Sequence, residues 1–457
     1  MSIALKCNVM SIQKSCEARS YPYCERAVKD CHVNSFSCFL GINVGYGLIW
    51  KEKENVRIAQ IAPPWIPIPP KHYGGTENVI YHLVEEQVAQ SHDVTLFAPD
   101  DSKTSAKLVS FFHRSLVKES VPWTMHLKAY YHLHKAVDYI KEHGFDIVHT
   151  HLSSSADMYV FPLIAQLTTP HVTTLHSVFP FDRDARSGYI GDADRYYMDW
   201  APFLPMVAIS ESARQSVPHP LNFVGVVHHG LYLQDFQPSK RRIGDYFAWL
   251  GRFVPEKGAH LAIETAKRAH VPLILAGIID RYSKESMVYF EKMIKPLVGT
   301  EQIEYIGPVN MRQKINLFSR ARGLLNPIEW EEPFGMVMIE AMALGCPVIS
   351  FARGAAPEII AEGETGYLVK NVDAMVSAIA KIDLIDRETV RKYVEQNFSS
   401  QVMAKNYVKI YKKVIQIQKQ KVSALDTATS RKLVEVPTPH SILKVSPKTP
   451  VPPTTRG

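Results

Sequence analysis

The chain has 457 residues, of which 46% are hydrophobic, 21% charged and 10% aromatic. This composition excludes collagenous, fully disordered and multi-span membrane proteins, and the length suits two or three domains of about 100–200 residues. The net charge is +7, but it does not mark a nucleic-acid-binding surface, because the excess sits at the ends. Residues 1–55 hold 7 basic and 5 acidic side chains and residues 416–457 hold 7 and 2, so the totals of 52 and 45 leave 38 of each between them. A nucleic-acid-binding domain carries its own basic face, and this core is neutral.

Five of the six cysteines (Cys7, Cys16, Cys24, Cys31, Cys38) fall in residues 1–55, and only Cys346 lies beyond. No C-x-x-C pair occurs, which argues against a zinc ribbon. The start lacks a charged n-region followed by an unbroken apolar stretch. Its most apolar part, Phe36 to Trp50, is broken by Gly41, Asn43, Gly45 and Gly47 and is shorter than the roughly 20 residues of a spanning helix. The reading is a cytoplasmic protein with reduced thiols and a poorly ordered extension over 1–55. The tail over 416–457 carries Pro437, Pro439, Pro447, Pro450, Pro452 and Pro453 among Thr, Ser and Lys, and reads as disordered. Its basic charge allows weak peripheral contact with the inner face of an anionic membrane.

Between these ends, apolar runs alternate with helical patterns. Strands are expected over Val56–Pro63, Asp93–Ala98, Phe145–His151, His171–His176, Met206–Ile209 and Phe223–Val227. Helices are expected from Gly74–Gly75 to Ala89, over Trp123–Glu142 and over Ala156–Leu167. A polar linker follows, with Pro238, Ser239, Lys240, Arg241 and Arg242. The alternation then restarts: strand Tyr246–Gly251, helix Ala259–Ala269, strand Pro272–Ala276, helix Lys284–Leu297, strand Ile303–Ile306, helix Arg312–Ala321, strand Gly323–Leu325, a helix from Phe334, and strand Pro347–Ser350. Such alternation means βαβ units and parallel sheets, here two doubly wound Rossmann-like domains over 56–234 and 235–397. Ligands bind at the carboxyl ends of such strands, so the cleft between the facing domains is the expected active site.

Three stretches carry chemistry. Gly74-Gly75 opens a helix after the first strand, where bare amides admit an anion; a tight turn with Thr76 as N-cap is the alternative. Gly251-Arg252-Phe253-Val254-Pro255-Glu256-Lys257-Gly258 places Arg252 and Lys257 at a strand's carboxyl end, as a fork and a point charge for a diphosphate or as a solvated loop. In Glu332-Pro-Phe-Gly-Met-Val-Met-Ile-Glu340, Phe334, Gly335 and Met336 supply first-turn amides. Glu332 and Glu340 suit vicinal hydroxyls, or else sit as a helix-dipole glutamate and an exposed one.

In this order, and together with Asp-Ile-Val-His-Thr-His151, Thr-Leu-His176 and Ile-Ser-Glu-Ser, these stretches make residues 56–415 resemble the family-4 retaining glycosyltransferases of the E-x7-E type. The resemblance implies the GT-B fold and assigns roles. Gly75 would lie against the donor diphosphate, and Arg252 and Lys257 would stabilise it as leaving group. Glu332 would bind hydroxyls of the donor sugar beside the amides near Gly335, Glu340 the ribose, and His176 the sugar ring or its 6-hydroxyl. The helix over 398–415 would cross back onto the first domain. The partners implied are a nucleotide diphosphate sugar, UDP-glucose by frequency within the family, and a hydroxyl acceptor: a sugar, a lipid-linked sugar or a small molecule.

Two departures from the family pattern stand out. A glycine pair usually precedes Pro-Glu after the Pro347 strand, where this chain has Gly354-Ala355-Ala356-Pro357-Glu358. The first loop is long and proline-rich, and its Trp65 and Tyr73 are expected either to stack on an acceptor sugar or to pack within the loop. His149 and His151 share a strand face as a metal pair or as structural residues, and His228-His229 read as structural. The D-x-D matches Asp182-Arg-Asp184 and Asp192-Ala-Asp194 are a pattern expected about once by chance in such a chain. They read as turn caps with Arg183, Arg186 and Arg195 as partners. No metal site and no cofactor are expected, since two fixed cations serve the diphosphate. The expected reaction is transfer of a hexose with retention, in glycan or glycoconjugate synthesis. A nucleotide-sugar 2-epimerase and a non-catalytic binding module are the alternatives.

Overall fold

The computed structural model describes residues 55–434 apart from 71–73, 124, 178–182, 185–188, 191–195, 240–242, 281–282 and 301, with backbone only at 183–184, 189–190 and beyond 421. The first sheet is built from β1 (Arg57–Ile61), β2 (Asp93–Phe97), β3 (Lys107–Val109), β4 (Ile147–Leu152) and β5 (His171–Leu175). A two-stranded hairpin, β6 (Arg183–Asp184) and β7 (Tyr189–Ile190), stands apart, and β8 (Met206–Ala208) and β9 (Phe223–Val226) complete the sheet. The order is β3-β2-β1-β4-β5-β8-β9, parallel throughout. Direction reverses between β1 and β4, so the first crevice for a ligand lies over their carboxyl ends. The helices are α1 (Gly75–Ala89), α2 (His126–His143), α3 (Val160–Ile164) and α4 (Glu211–Gln215).

The second sheet contains β10 (Phe247–Arg252), β11 (Leu273–Ile278), β12 (Ile303–Tyr305), β13 (Leu324–Asn326), β14 (Val348–Phe351) and β15 (Gly366–Val369). Its order is β12-β11-β10-β13-β14-β15, with the reversal between β10 and β13. Its helices are α5 (Ala259–Ala269), α6 (Lys284–Tyr289), α7 (Met311–Arg320), α8 (Met336–Ala343), α9 (Ala356–Ile359), α10 (Val372–Ile379) and α11 (Arg387–Asn397).

Most expected elements appear within a few residues of their sequence bounds. Two long helices do not. The expected Lys284–Leu297 helix becomes α6, a π turn over Phe290–Ile294 and a 3-10 turn over Lys295–Leu297, because Pro296 has no N–H for the α ladder. Likewise Ala156–Leu167 becomes a 3-10 turn over Ser155–Tyr159 and the short α3, with Pro162 unable to donate to residue 158. β3 has only three residues and no clear apolar pattern, and the sequence reading passes over it.

The final helix α12 (Ser400–Val434) corrects the expected disordered tail over its first part, since helix continues well past 416; residues 435–457 lie outside the described ones. Met403, Ala404, Tyr407, Tyr411 and Val414 form a buried stripe on α12 and pack with Ile58, Val79, Ile80 and Leu83 of the first sheet and α1. Among the described residues, no helix is long and apolar enough to cross a membrane.

Tyr411 is fully buried. Gln60 and Gln87 donate to its hydroxyl at 3.3 and 3.1 Å, and His149 Nδ1 lies 2.7 Å away. Replacing it by Phe leaves buried amides unpaired and is expected to cost about 1–3 kcal/mol. Replacement by Ala adds a cavity and raises the cost to about 4 kcal/mol. Urea unfolding of both variants checks the order; equal midpoints for all three proteins would show that α12 does not anchor the first sheet.

Candidate active site

On the second sheet, β10 delivers Arg252 to its carboxyl end, partly exposed and with no ion pair among the described residues. The next turn must pack against the loop after β13. Gly258 sits at φ +65°, and a Cβ there would come within 1.9 Å of the Pro327 carbonyl oxygen. This contact brings Lys257 to the Glu332 loop, where Lys257 Nζ forms an ion pair with Glu332 Oε2. Trp330 Nε1 donates to the same oxygen at 3.0 Å, and Lys257 Nζ lies 5.4 Å from the Trp330 ring centroid.

Gly335 is the N-cap of α8 at φ +93°, and amides of the first turn lack helical acceptors. Phe334 is buried and meets the His229 ring edge-on at 4.9 Å. Met336 packs against the cores of both lobes. Glu340 is not free: Lys314 on α7 pairs with it at 2.7 Å, the two side chains being 13% and 18% exposed.

The loop after β14 closes over Glu332. Gly354 has φ +55°, and a Cβ there would fall 2.4 Å from both Glu332 N and O, while Ala355 N donates to Glu332 O at 3.0 Å. One glycine is therefore enough where the family pattern has two. Beyond it, Glu358 joins the lobes. Its carboxylate accepts from Glu211 N and Ser212 N at 2.7 Å each and pairs with His228 Nε2 at 3.0 Å. Burial alone would raise the Glu358 pKa, but the His228 and amide hydrogen bonds bring it below the usual value. Ser210 Oγ donates to Pro333 O at 2.6 Å and adds a second tie.

On the first sheet, α1 begins at Gly75 with Gly74, not Thr76, as N-cap and no side-chain cap. Gly75 is exposed, and a Cβ on it would meet nothing within 4 Å. Glu77 is buried behind it. Burial pushes its carboxyl up to about 7, opposed by its own backbone N–H and helped by Asp157. Asp157 is buried too. Ser153 and Ser154 donate both amides and both hydroxyls to its Oδ2 at 2.9–3.1 Å, and Oδ1 has no partner among the described residues.

His176 follows β5. Its Nε2 lies 2.9 Å from His151 Nδ1, and its ring stacks on His229 at 5.2 Å. Burial first, then repulsion among the rings, holds His149, His151 and His176 well below the usual histidine pKa, and His229 falls to about 3. These rings are neutral.

Arg252 thus ends β10, Lys257, Glu332, Phe334, Gly335 and Met336 follow the carboxyl ends of β10 and β13, and Glu340 lies within α8. Gly75 and His176 stand at carboxyl ends of the first sheet. At three places the structure selects among the alternatives left open by the sequence. Trp65 is 1% exposed and lies under Trp123, ring centroids 4.6 Å apart, so the loop-packing alternative holds for it and Trp123 presents the outer face. His228 is a lobe-joining partner of Glu358. His149 and His151 are bound into a hydrogen-bond network rather than paired for a metal. Tyr73, Asp182, Arg186, Asp192, Asp194 and Arg195 lie outside the described residues, as do the side chains of Arg183 and Asp184. Sequence reasoning missed Lys314, Trp330 and Asp157, and it named Glu358 in the Pro-Glu pattern without giving it a role. Of the three, only Asp157 belongs to a local pattern, where Ser-x-x-Asp signals a capping box.

Two facing parallel α/β domains with this crevice define a GT-B glycosyltransferase fold. The family described as "Glycosyl transferases group 1" matches residues 234–399, and "Glycosyltransferase Family 4" matches residues 73–235. The chain belongs to the family-4 glycosyltransferases. Spore coat protein SA of Bacillus subtilis is 22% identical over 394 residues, 78% of this chain and all of that one. O-antigen chain mannosyltransferase C of Escherichia coli is 24% identical over 368 residues, 75% and 95% of the two chains. Among solved structures, sucrose-phosphate synthase from Thermosynechococcus elongatus superimposes with a TM-score of 0.63 at 19% identity over 79% of this chain and 100% of that one. Anabaena HepE in complex with UDP-glucose gives 0.55 at 16% identity over 80% and 100%.

Glu77 gives a pH test. Its pKa rises from 4.5 unfolded to about 7 folded, so the folded state holds a proton that the unfolded state has lost between those values. Its contribution is full below the lower value and disappears as pH rises through the upper one. Glu77→Gln keeps the neutral shape and is expected to gain on the wild type by about 3 kcal/mol between pH 5 and pH 8. Chemical denaturation at both pH values measures this, and a difference independent of pH would show that Glu77 is ionised in the folded protein.

Proposed function

We propose that the protein is a retaining hexosyltransferase that moves a sugar from a nucleotide diphosphate sugar, UDP-glucose first among candidates, to a hydroxyl acceptor in glycan or glycoconjugate synthesis. The observation that carries this reading is the arrangement at the second crevice. Arg252 has no ion pair among the described residues, Lys257 is held by Glu332, and Gly335, three residues after Glu332, caps α8. Cations and bare amides serve a diphosphate, and the carboxylates beside them serve hydroxyls. The HepE complex with UDP-glucose on the same fold supports the donor class.

In the proposed reaction the bond from the anomeric carbon to the β-phosphate oxygen breaks and its electron pair stays on that oxygen. Arg252 and Lys257 stabilise the charge that develops, while the sugar passes through an oxocarbenium-like state. The acceptor oxygen attacks from the same face, and its proton passes to the departing phosphate. Glu332 holds sugar hydroxyls, Glu340 the ribose, Gly75 the diphosphate edge, and Phe334, Gly335 and Met336 shape the donor pocket. No divalent metal and no cofactor enter this scheme, and the two fixed cations take the role a metal would have. A cytoplasmic setting, at most peripheral to a membrane, belongs to the same reading.

Incubation with UDP-glucose or GDP-mannose and a panel of sugar acceptors tests it, the second donor chosen for the mannosyltransferase relative. Product with the donor's anomeric configuration is expected, at a rate unchanged by excess EDTA. Epimerised donor without acceptor would give the epimerase reading instead, and activity abolished by EDTA and restored by Mg²⁺ would overturn metal independence. Arg252→Ala and Lys257→Ala are each expected to lower kcat by about 10²–10³-fold.

The two glutamates should separate. Glu332→Gln is expected to lose transfer while nucleotide binding holds. Glu340→Gln and Lys314→Met are each expected to weaken nucleotide binding by about tenfold, the loss of about one good hydrogen bond. Calorimetric titration with UDP decides. Unchanged affinity in both of the latter variants would remove Glu340 from the ribose.

A further inference from the structure

The buried polar groups behind His176 form a chain in which each proton position follows from the last. Gln60 is fully buried. Its amide nitrogen donates to Gln87 Oε1 at 2.8 Å and to Tyr411 Oη at 3.3 Å, which leaves Oε1, an acceptor only, facing His151 Nε2 at 2.9 Å. His151 Nε2 must therefore carry a proton. The ring is neutral, so its Nδ1 is bare. Across 2.9 Å from that Nδ1 stands His176 Nε2, which must then be the donor. His176 is neutral as well, so its own Nδ1 has no proton. That atom is shielded from solvent and has no partner among the described residues.

We propose that Gln60 is a positioning residue: through His151 it fixes His176 as the Nε2–H tautomer, so that Nδ1 offers a lone pair and selects a group that donates a hydrogen bond. The ligand class this admits is a sugar carrying a free hydroxyl at the position that meets His176, and not one with an acceptor-only or deoxy group there. The inference rests on the glycosyl-transfer reading for the identity of that ligand, but not for the tautomer. A second branch shares Tyr411 with Gln60 and ends at Thr174. Tyr411 accepts from two amides and so donates to His149 Nδ1, and His149 Nε2 then donates to Thr174 Oγ1 at 2.7 Å.

The experiment begins with histidine-selective ¹⁵N labelling of the full chain, with signals assigned by single histidine substitutions. In the wild type, His151 and His176 are expected as neutral Nε2–H rings. Nδ1–H at His176 would overturn the proposal. Gln60→Met removes the acceptor, and the single-tautomer signature of His151 and His176 is then expected to be lost. Thr174→Val breaks the other branch at its far end, so His149 should change while His176 stays fixed. If Gln60→Met leaves His176 unaltered, or if Thr174→Val shifts it equally, the relay is wrong even where both variants fold.

The second arm uses UDP-glucose and its 2-, 3-, 4- and 6-deoxy counterparts as donors. One deoxy position is expected to lower kcat/KM about tenfold in the wild type, the worth of about one hydrogen bond, and to have little effect in Gln60→Met. Equal penalties at every position in both proteins would overturn the hydroxyl assignment. Absence of turnover with every donor would instead remove the transferase reading and leave the tautomer result standing.

Discussion

The chain crosses between its two sheets twice, and the two crossings are hydrogen-bonded to each other. Leu231 N donates to Phe398 O, and Ser400 N donates to Leu231 O, both at 2.8 Å. The contact leaves no room for a side chain at residue 230, where a Cβ would lie 2.3 Å from Ser399 O. Much of the site follows from this junction. The outgoing strand carries His229 against His176 and Phe334, and the Gly230 carbonyl meets His82 Nδ1 at 3.2 Å. The returning strand leads directly into α12, whose Tyr407 and Tyr411 reach under the first crevice. A substitution at residue 230 would therefore displace the histidine column and α12 together.

The sheets were legible because parallel strands buried on both faces read as apolar runs, as at β1, β10 and β14. The crevice followed from connectivity alone: the strands before Gly75 and Arg252 each lie next to a reversal in order. What the sequence does not show are pairings that depend on distance in space. Lys314 stands 26 residues from Glu340, and Glu358 caps a helix 147 residues away. A lone lysine on an amphipathic helix carries no local sign of its partner. Trp65 is a similar case: its proline-rich loop allows both stacking on a sugar and packing within the loop, and it is Trp123, from a distant segment, that covers it.

The two lobes reach polarity by opposite means. Behind the first crevice, His149, His151, His176 and His229 are kept neutral and are polar through tautomer and orientation. Neutral groups of this kind can be buried, since hydrogen bonding offsets the loss of hydration, and Gln60, Thr174 and Tyr411 supply the partners. At the second crevice the groups are ionised and stay near the surface, with Lys257, Glu332, Lys314 and Glu340 all between 13% and 22% exposed. Isolated cations at that depth would be expensive, and each lysine is matched by a carboxylate.

At the second crevice Arg252 has no ion pair among the described residues. On the proposed reading, the donor brings a doubly charged diphosphate and several hydroxyls together. The diphosphate would compete with Glu332 for Lys257, and Glu332 would then need new hydrogen-bond donors, which sugar hydroxyls supply. A bare diphosphate without a sugar would leave that carboxylate underserved. The same ion pair that stabilises the lysine thus favours a ligand carrying phosphate and hydroxyl groups at a fixed separation over either group alone.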